Sequence, residues 1–241
     1  MKKLIFSLVT LCLMACKGTE PVIHYEVIPL PQSISYTHQK PFELDAQTVI
    51  TYPQGDALLQ RNAQFLASYL KEITGLTLST EPNVNSGKVI RLKADLKKTN
   101  QEAYQLTVAS EQITIDGASP AGVFYGIQTL RKSIDVTEPK SLAFPTAVID
   151  DAPRFAYRGM HFDVSRHFFT VDFIKQYIDI LALHNLNKFH WHLTDDQGWR
   201  FESKKYPELT VVGSTRSQTM LGKEWDKFDG KPHGGFYTQQ E

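Results

Sequence analysis

The stretch from Arg158 to Thr194 leaves few architectures open. Arg158-Gly-Met-His-Phe-Asp-Val-Ser165 reads as a strand. Ile174, Tyr177, Ile178 and Leu181 then repeat on one face of a helix that Thr170 caps and His184-Asn185 closes. Lys188 to Thr194 reads as a second strand. Strand, helix, strand at this spacing is a βα repeat with parallel strands. Alternation sets Phe189, Trp191 and Leu193 on one face of the second strand and His190, His192 and Thr194 on the other. Bulk on both faces predicts a strand covered on both sides.

In barrels built from such units, function sits at the C-terminal ends of the strands. Arg166 follows the first strand, and Asp195 and Asp196 follow the second. One guanidinium and two carboxylates therefore reach the same rim. Arg166 offers a planar fork of donors that suits vicinal hydroxyls or a carboxylate, and it equally suits an ion pair with Asp163, Asp195 or Asp196. Adjacent aspartates diverge, so one lines a site while the other braces a loop, or both cap loops. His190-Trp-His192 has a spacing found in metal-dependent hydrolases of barrel fold; two packed, hydrogen-bonded imidazoles give the same pattern. Trp199 and Trp225 suit stacking on a sugar ring or packing of a long loop. That loop, Gln197 to Phe236, has little periodicity, and its length marks it as functional or capping.

Ahead of this lies a region with no cluster of chemical residues, about Val22 to Val136. Thr48 to Tyr52 and Lys88 to Lys93 read as strands. Leu59, Ala63, Leu66, Leu70 and Ile73 form one stripe of a helix with Gly75 just past its end. Tyr104 to Ala109 and Gln112 to Asp116 read as a hairpin. Ser119-Pro120 opens a second helix whose stripe is Val123, Ile127, Leu130 and Ile134, and Gly122 and Gly126 allow it to approach a sheet closely. The sum is an α+β domain, a small mixed sheet with two helices. A loose linker is expected over 137–153, from Pro139, Pro145 and Asp150-Asp-Ala-Pro153. The second domain runs over 154–241.

Residues 1–20 read as a targeting segment. Lys2 and Lys3 precede the apolar run Leu4 to Leu13, and Leu13-Met14-Ala15-Cys16 resembles a bacterial lipobox with Cys16 as the lipidated residue. The expected location is the bacterial envelope, as a periplasmic or outer-membrane lipoprotein, with plain secretion as the alternative. Membrane contact is expected only through the lipid at Cys16. Cys12 and Cys16 are the only cysteines, so no disulfide framework holds the rest of the chain. Formal net charge is zero, which gives no field that favours nucleic acid as a partner.

These residues together are familiar. Tyr157 to Phe168, Lys188 to Arg200 and Tyr206-Pro-Glu-Leu209 resemble the opening of the catalytic barrel of glycoside hydrolase family 20, the β-N-acetylhexosaminidases. Ile28-Pro-Leu-Pro-Gln32 and Ser119 to Gln128 are similar to the family's non-catalytic N-terminal domain. The resemblance implies a (β/α)8 barrel behind the α+β domain. It implies removal of terminal β-linked N-acetylglucosamine or N-acetylgalactosamine with retention, the substrate's own acetamido oxygen acting as nucleophile. The partners it implies are oligosaccharides or glycoconjugates that carry N-acetylhexosamine. It implies no metal and no cofactor. Arg166 would bind the C3 and C4 hydroxyls of the terminal sugar, and Asp195 would organise the network around the general acid. Asp196, His192 and Trp199 would support them. The family's catalytic Asp-Glu pair is expected beyond Glu241, on a later strand. Thr238-Gln-Gln-Glu241 matches a capping box and suggests the first turn of a new helix, so the chain reads as a truncated barrel that is inactive alone. A non-catalytic carbohydrate-binding or assembly module is the alternative.

Overall fold

The computed structural model of the chain describes residues 23–85, 87–134 and 142–241. The expected lipidation site at Cys16 lies outside the described residues. The first region runs β1 (Ser33–Tyr36), β2 (Phe42–Glu43), β3 (Val49–Tyr52), α1 (Ala57–Thr74), β4 (Ser79–Pro82), β5 (Val89–Lys93), β6 (Tyr104–Val108), β7 (Gln112–Gly117), α2 (Pro120–Lys132), β8 (Ala143–Phe144) and β9 (Ala147–Asp151). Seven of these strands form one mixed sheet in the order β1-β9-β6-β7-β5-β3-β4. Helix α1 lies against β3, β4 and β5, helix α2 against β5, β6 and β7, and the helices touch each other. They therefore share one face of the sheet.

Local chemistry explains the elements. Asp56 caps α1 by accepting from the backbone N–H groups of Leu58 and Leu59, and Gly75 ends the helix at φ 77°. Of the expected stripe residues, Leu59, Ala63, Leu66 and Leu70 are buried and Ile73 is half-buried. The expected hairpin forms as β6–β7, with Leu106 opposite Ile115. Ser119 caps α2, and its stripe residues Val123, Ile127 and Leu130 are buried; Ile134 is buried too, but past the end of the helix at Lys132. A Cβ at Gly122 would lie 2.2 Å from the Ala103 carbonyl oxygen, so only glycine allows this helix its approach.

The stretch 137–153 is not a loose linker throughout. Its second half is β9, which pairs antiparallel with both β1 and β6. Alternating Ala147 and Ile149 are fully buried, a pattern that the prolines and aspartates around them obscured.

The second region runs β10 (Gly159–Asp163), α3 (Val171–Leu183), β11 (Lys188–His192), β12 (Thr194–Asp195), β13 (Gly198–Trp199), α4 (Pro207–Val211), β14 (Thr215–Arg216) and β15 (His233–Gly234). Strands β10 and β11 are parallel, with His161 opposite His190 and Asp163 opposite His192. Thr170 caps α3 as expected. Phe162, Phe189 and Trp191 pack with Val164, Ile174 and Tyr237. Two expectations fail here. Ile178 is exposed, because the helix turns Ile174, Tyr177 and Leu181 toward the strands instead. Among the described residues the strand pair is covered on one face; His161 and His190 on the other are exposed.

A polar junction joins the two regions. Arg158, just before β10, donates to Glu102 through Nη1 at 2.8 Å, to the Tyr125 hydroxyl through Nη2 at 2.9 Å and to the Asn185 carbonyl through Nε at 2.7 Å. Glu102 also accepts from Asn187 Nδ2 at 3.1 Å and from the Tyr125 hydroxyl at 3.1 Å. The Arg158 bond first, with help from Asn187 and Tyr125, holds the Glu102 carboxyl below its usual range.

The sign of the pH effect follows. A depressed carboxylate contributes stability that is complete above its unfolded value of about 4.3 and is lost as pH falls through the folded value. Urea unfolding at stepped pH should show Glu102→Gln lowering stability by about 1–3 kcal/mol near pH 6. The gap to wild type should narrow toward pH 3. A gap that stays constant would show that the carboxylate charge is not what joins the regions.

Candidate functional site

The sequence-predicted residues meet where β10 and β11 end. Asp163 closes β10 and shapes the turn after it, accepting from the backbone N–H of Ser165 at 2.9 Å and of Arg166 at 3.2 Å. The Arg166 guanidinium lies between two carboxylates. Its Nη1 is 2.9 Å from Asp163 Oδ2 and 2.8 Å from Asp195 Oδ2. Asp195 Oδ2 also lies 3.1 Å from His192 Nε2. Both readings of Arg166 are thus compatible: it makes the ion pairs through Nη1, and among the described residues its Nε and Nη2 donate to no protein atom. With its side chain half exposed, the fork can address a ligand.

The two aspartates divide their roles. Asp195 faces Arg166 and His192. Asp196 is exposed and turns its backbone N–H to Asp195 Oδ1 at 2.8 Å. Asp196, chiefly through that N–H, and then the charges of Arg166 and His192 hold the Asp195 carboxyl below the usual range. Asp195 is therefore an ionised acceptor near neutral pH, suited to orienting neighbours and not to donating a proton.

The histidines pack against one another. The His161 ring meets His190 edge-on at 4.7 Å and His192 at 5.5 Å. His192 Nε2 is shared between Asp195 and the Thr194 carbonyl. Among the described residues, no group of three or more His, Cys, Asp or Glu side chains is placed to hold a metal ion.

The tryptophans separate. Trp199 packs: its Cβ lies against Gly213 and its indole N–H donates to the Phe201 carbonyl at 2.6 Å. Trp225 does not pack the loop; it is 84% exposed on an excursion closed by Thr219 and Asp229. The loop's anchor is a residue that sequence reasoning passed over. Arg200 is 1% exposed and donates to four backbone carbonyls: Val164 through Nε, Ser165 through Nη2, and Ser214 and Gly235 through Nη1. No carboxylate pairs with it among the described residues. Burial first, and then the nearby Arg216 charge, lower its pKa from the ordinary arginine value. The only signal in the sequence was an arginine after Gly-Trp within an apolar-to-polar transition. Arg216 adds a second tie, donating to the Arg166 carbonyl at 2.7 Å and the Gln197 carbonyl at 2.9 Å.

Comparison with known proteins adds family information. Residues 24–152 match the model described as Glycosyl hydrolase family 20, domain 2, and residues 155–241 match Glycosyl hydrolase family 20, catalytic domain. A beta-hexosaminidase of Porphyromonas gingivalis is 37% identical over the whole chain, which covers 32% of that relative. Among solved structures, the Streptomyces plicatus N-acetyl-beta-hexosaminidase superposes with a TM-score of 0.76 at 33% identity, over 90% of this chain and 42% of that one. An exo beta-N-acetylglucosaminidase of Vibrio harveyi, solved with N-acetylglucosamine, superposes with a TM-score of 0.74 at 33% identity, over 91% of this chain and 33% of that one. The chain spans between 32% and 41% of the length of the first curated relatives it matches. The architecture is accordingly an α+β domain followed by part of a (β/α)8 barrel.

Arg200→Met keeps the volume and removes every donor. Four carbonyls then lose a charged partner, so chemical denaturation should show a loss of about 3 kcal/mol or more. Backbone amides of 197–237 should lose exchange protection ahead of those of 104–134. Uniform loss of protection across both regions would count against a local role.

Proposed function

Since the chain belongs to glycosyl hydrolase family 20, we propose that it supplies one edge of the pocket of an exo-β-N-acetylhexosaminidase. The activity proposed is hydrolysis of terminal β-linked N-acetylglucosamine or N-acetylgalactosamine. The observation that carries the reading is Arg166. Its guanidinium is held on one nitrogen by Asp163 and Asp195 and leaves the rest of its fork toward solvent at the strand rim. A planar pair of donors fixed in this way matches two neighbouring sugar hydroxyls. The N-acetylglucosamine in the Vibrio harveyi complex supports the substrate class.

The proposed mechanism is retaining and substrate-assisted, the acetamido oxygen of the sugar attacking its own anomeric carbon. In it, Arg166 binds and orients the terminal sugar. Asp195 is a charged support that keeps Arg166 and His192 aligned. His192, Asp196 and Trp199 brace that arrangement. Asp195 is held ionised and so is not suited to protonate a leaving oxygen, and we propose that residues 1–241 alone do not turn over substrate.

An aryl β-N-acetylglucosaminide tests both statements. The full encoded protein should cleave it, and Arg166→Ala should lower kcat/KM by about 10²-fold, as expected for two charge-assisted hydrogen bonds. An inactive full protein, or an alanine variant with undiminished kcat/KM, overturns the proposed role. Robust turnover by the 241 residues alone overturns the second statement.

For location we propose an envelope lipoprotein acylated at Cys16, on the strength of the basic, apolar and Leu-Met-Ala-Cys order of the leader. Labelling with a radioactive fatty acid in a bacterial host should mark the wild type and leave Cys16→Ser unmarked. Equal labelling of both would remove Cys16 as the anchor.

A further inference from the structure

The direction of the Arg166 side chain depends on the turn that carries it, Val164 to Phe169. Two side chains from the long loop hold that turn, and they are cross-strand partners: Arg216 in β14 is paired with His233 in β15. Arg216 Nη2 donates to the Arg166 carbonyl at 2.7 Å. His233 Nε2 accepts from the Phe168 backbone N–H at 2.9 Å. The His233 ring also stacks on His167, with centroids 4.1 Å apart and planes 17° apart. Gly235 lets the Phe168 ring lie against the same ladder; a Cβ there would come within 2.4 Å of it. The Arg166 carbonyl, the His167 ring and the Phe168 N–H are thus all gripped from one two-rung ladder.

An imidazole nitrogen that accepts an N–H bond carries no proton of its own. The His233 grip therefore exists only while the ring is neutral. We propose that His233 is a positioning residue for Arg166, and that its protonation releases Phe168 and weakens sugar binding in acid. The proposal rests on the reading of Arg166 as the sugar-binding group.

The surroundings favour the neutral ring. His167 stacks on the His233 ring and Arg216 pairs with it across the ladder; the charge of Arg200 adds to theirs, while that of Asp229 opposes them. Burial first, and then His167, Arg216 and Arg200, push His233 below the ordinary histidine value. A histidine depressed in this way contributes order that is complete above its unfolded value of about 6.5 and is lost as pH falls through the folded value.

Two measurements test this. In the full encoded protein, KM for an aryl β-N-acetylglucosaminide should rise about tenfold as pH falls through the His233 titration, as for the loss of one hydrogen bond. The kcat should follow a different pH profile. In the same protein, the Phe168 amide should lose exchange protection over the pH range in which the His233 ring shifts titrate. His233→Gln can place an amide oxygen where Nε2 stood and cannot be protonated in this range. Its KM should stay level across the acid range. His233→Phe keeps a stacked ring without an acceptor, and its KM should be high at every pH. A glutamine variant with the wild-type acid rise in KM overturns the proposal. Arg166→Ala then separates the two failures. If it leaves KM unchanged, the reading of Arg166 is at fault. If it raises KM, the failure lies in the His233 grip alone.

Discussion

A buried guanidinium that meets no carboxylate among the described residues organises the rim of this protein. A charge taken out of water needs compensation, and Arg200 finds it in four main-chain carbonyls. Those carbonyls belong to three separate stretches: the turn after β10, the turn after α4 and the end of the long loop. Ser214 and Gly235 are also tied to each other directly, the Gly235 N–H donating to the Ser214 carbonyl at 3.2 Å. One side chain therefore converts an irregular segment into a defined wall, and Gly198 leaves the space the guanidinium fills.

Strand β10 is held at both ends by arginines of different kinds. Arg158 meets a true carboxylate, Glu102, and so links the strand's entry to the first domain through charge. Arg200 meets only dipoles and fixes its exit. Arg166, between them in function, is paired yet exposed, and it keeps donors for a ligand. The N-terminal domain thus contributes a fixed platform for this strand. Its seven-stranded sheet and paired helices hold Glu102 and Tyr125 where Arg158 can reach both.

The site itself is a network of shared acceptors. Asp163 Oδ2 and Asp195 Oδ2 both serve Arg166, and Asp195 also serves His192. Sharing of this kind sets orientation more than affinity, because each carboxylate is satisfied before any ligand arrives. The stacked imidazoles His167 and His233 bring a titrating group next to this network without joining it.

Much of this was legible in the residues. Periodicity found α1, α2, α3 and the parallel pair β10 and β11, because each buries a stripe against one neighbour. Ser119, Thr170 and Gly75 marked helix ends, since capping is a local interaction. The rim position of Arg166, Asp195 and Asp196 followed from chain order. Other features depended on partners far along the chain. Strand β9 was hidden because its place between β1 and β6 is a long-range pairing, and the prolines and aspartates around it obscured the alternation. The exposure of Trp225 and Ile178 depended on which surfaces the fold covers. The sequence determined the elements, their order and the rim residues, because these rest on contacts a few residues apart. Only the tertiary structure decided that Asp195 and not Asp196 pairs with Arg166, that Arg200 is the buried hub and that His233 grips Phe168. Those choices turn on distances between atoms up to 65 residues apart, which no local pattern encodes.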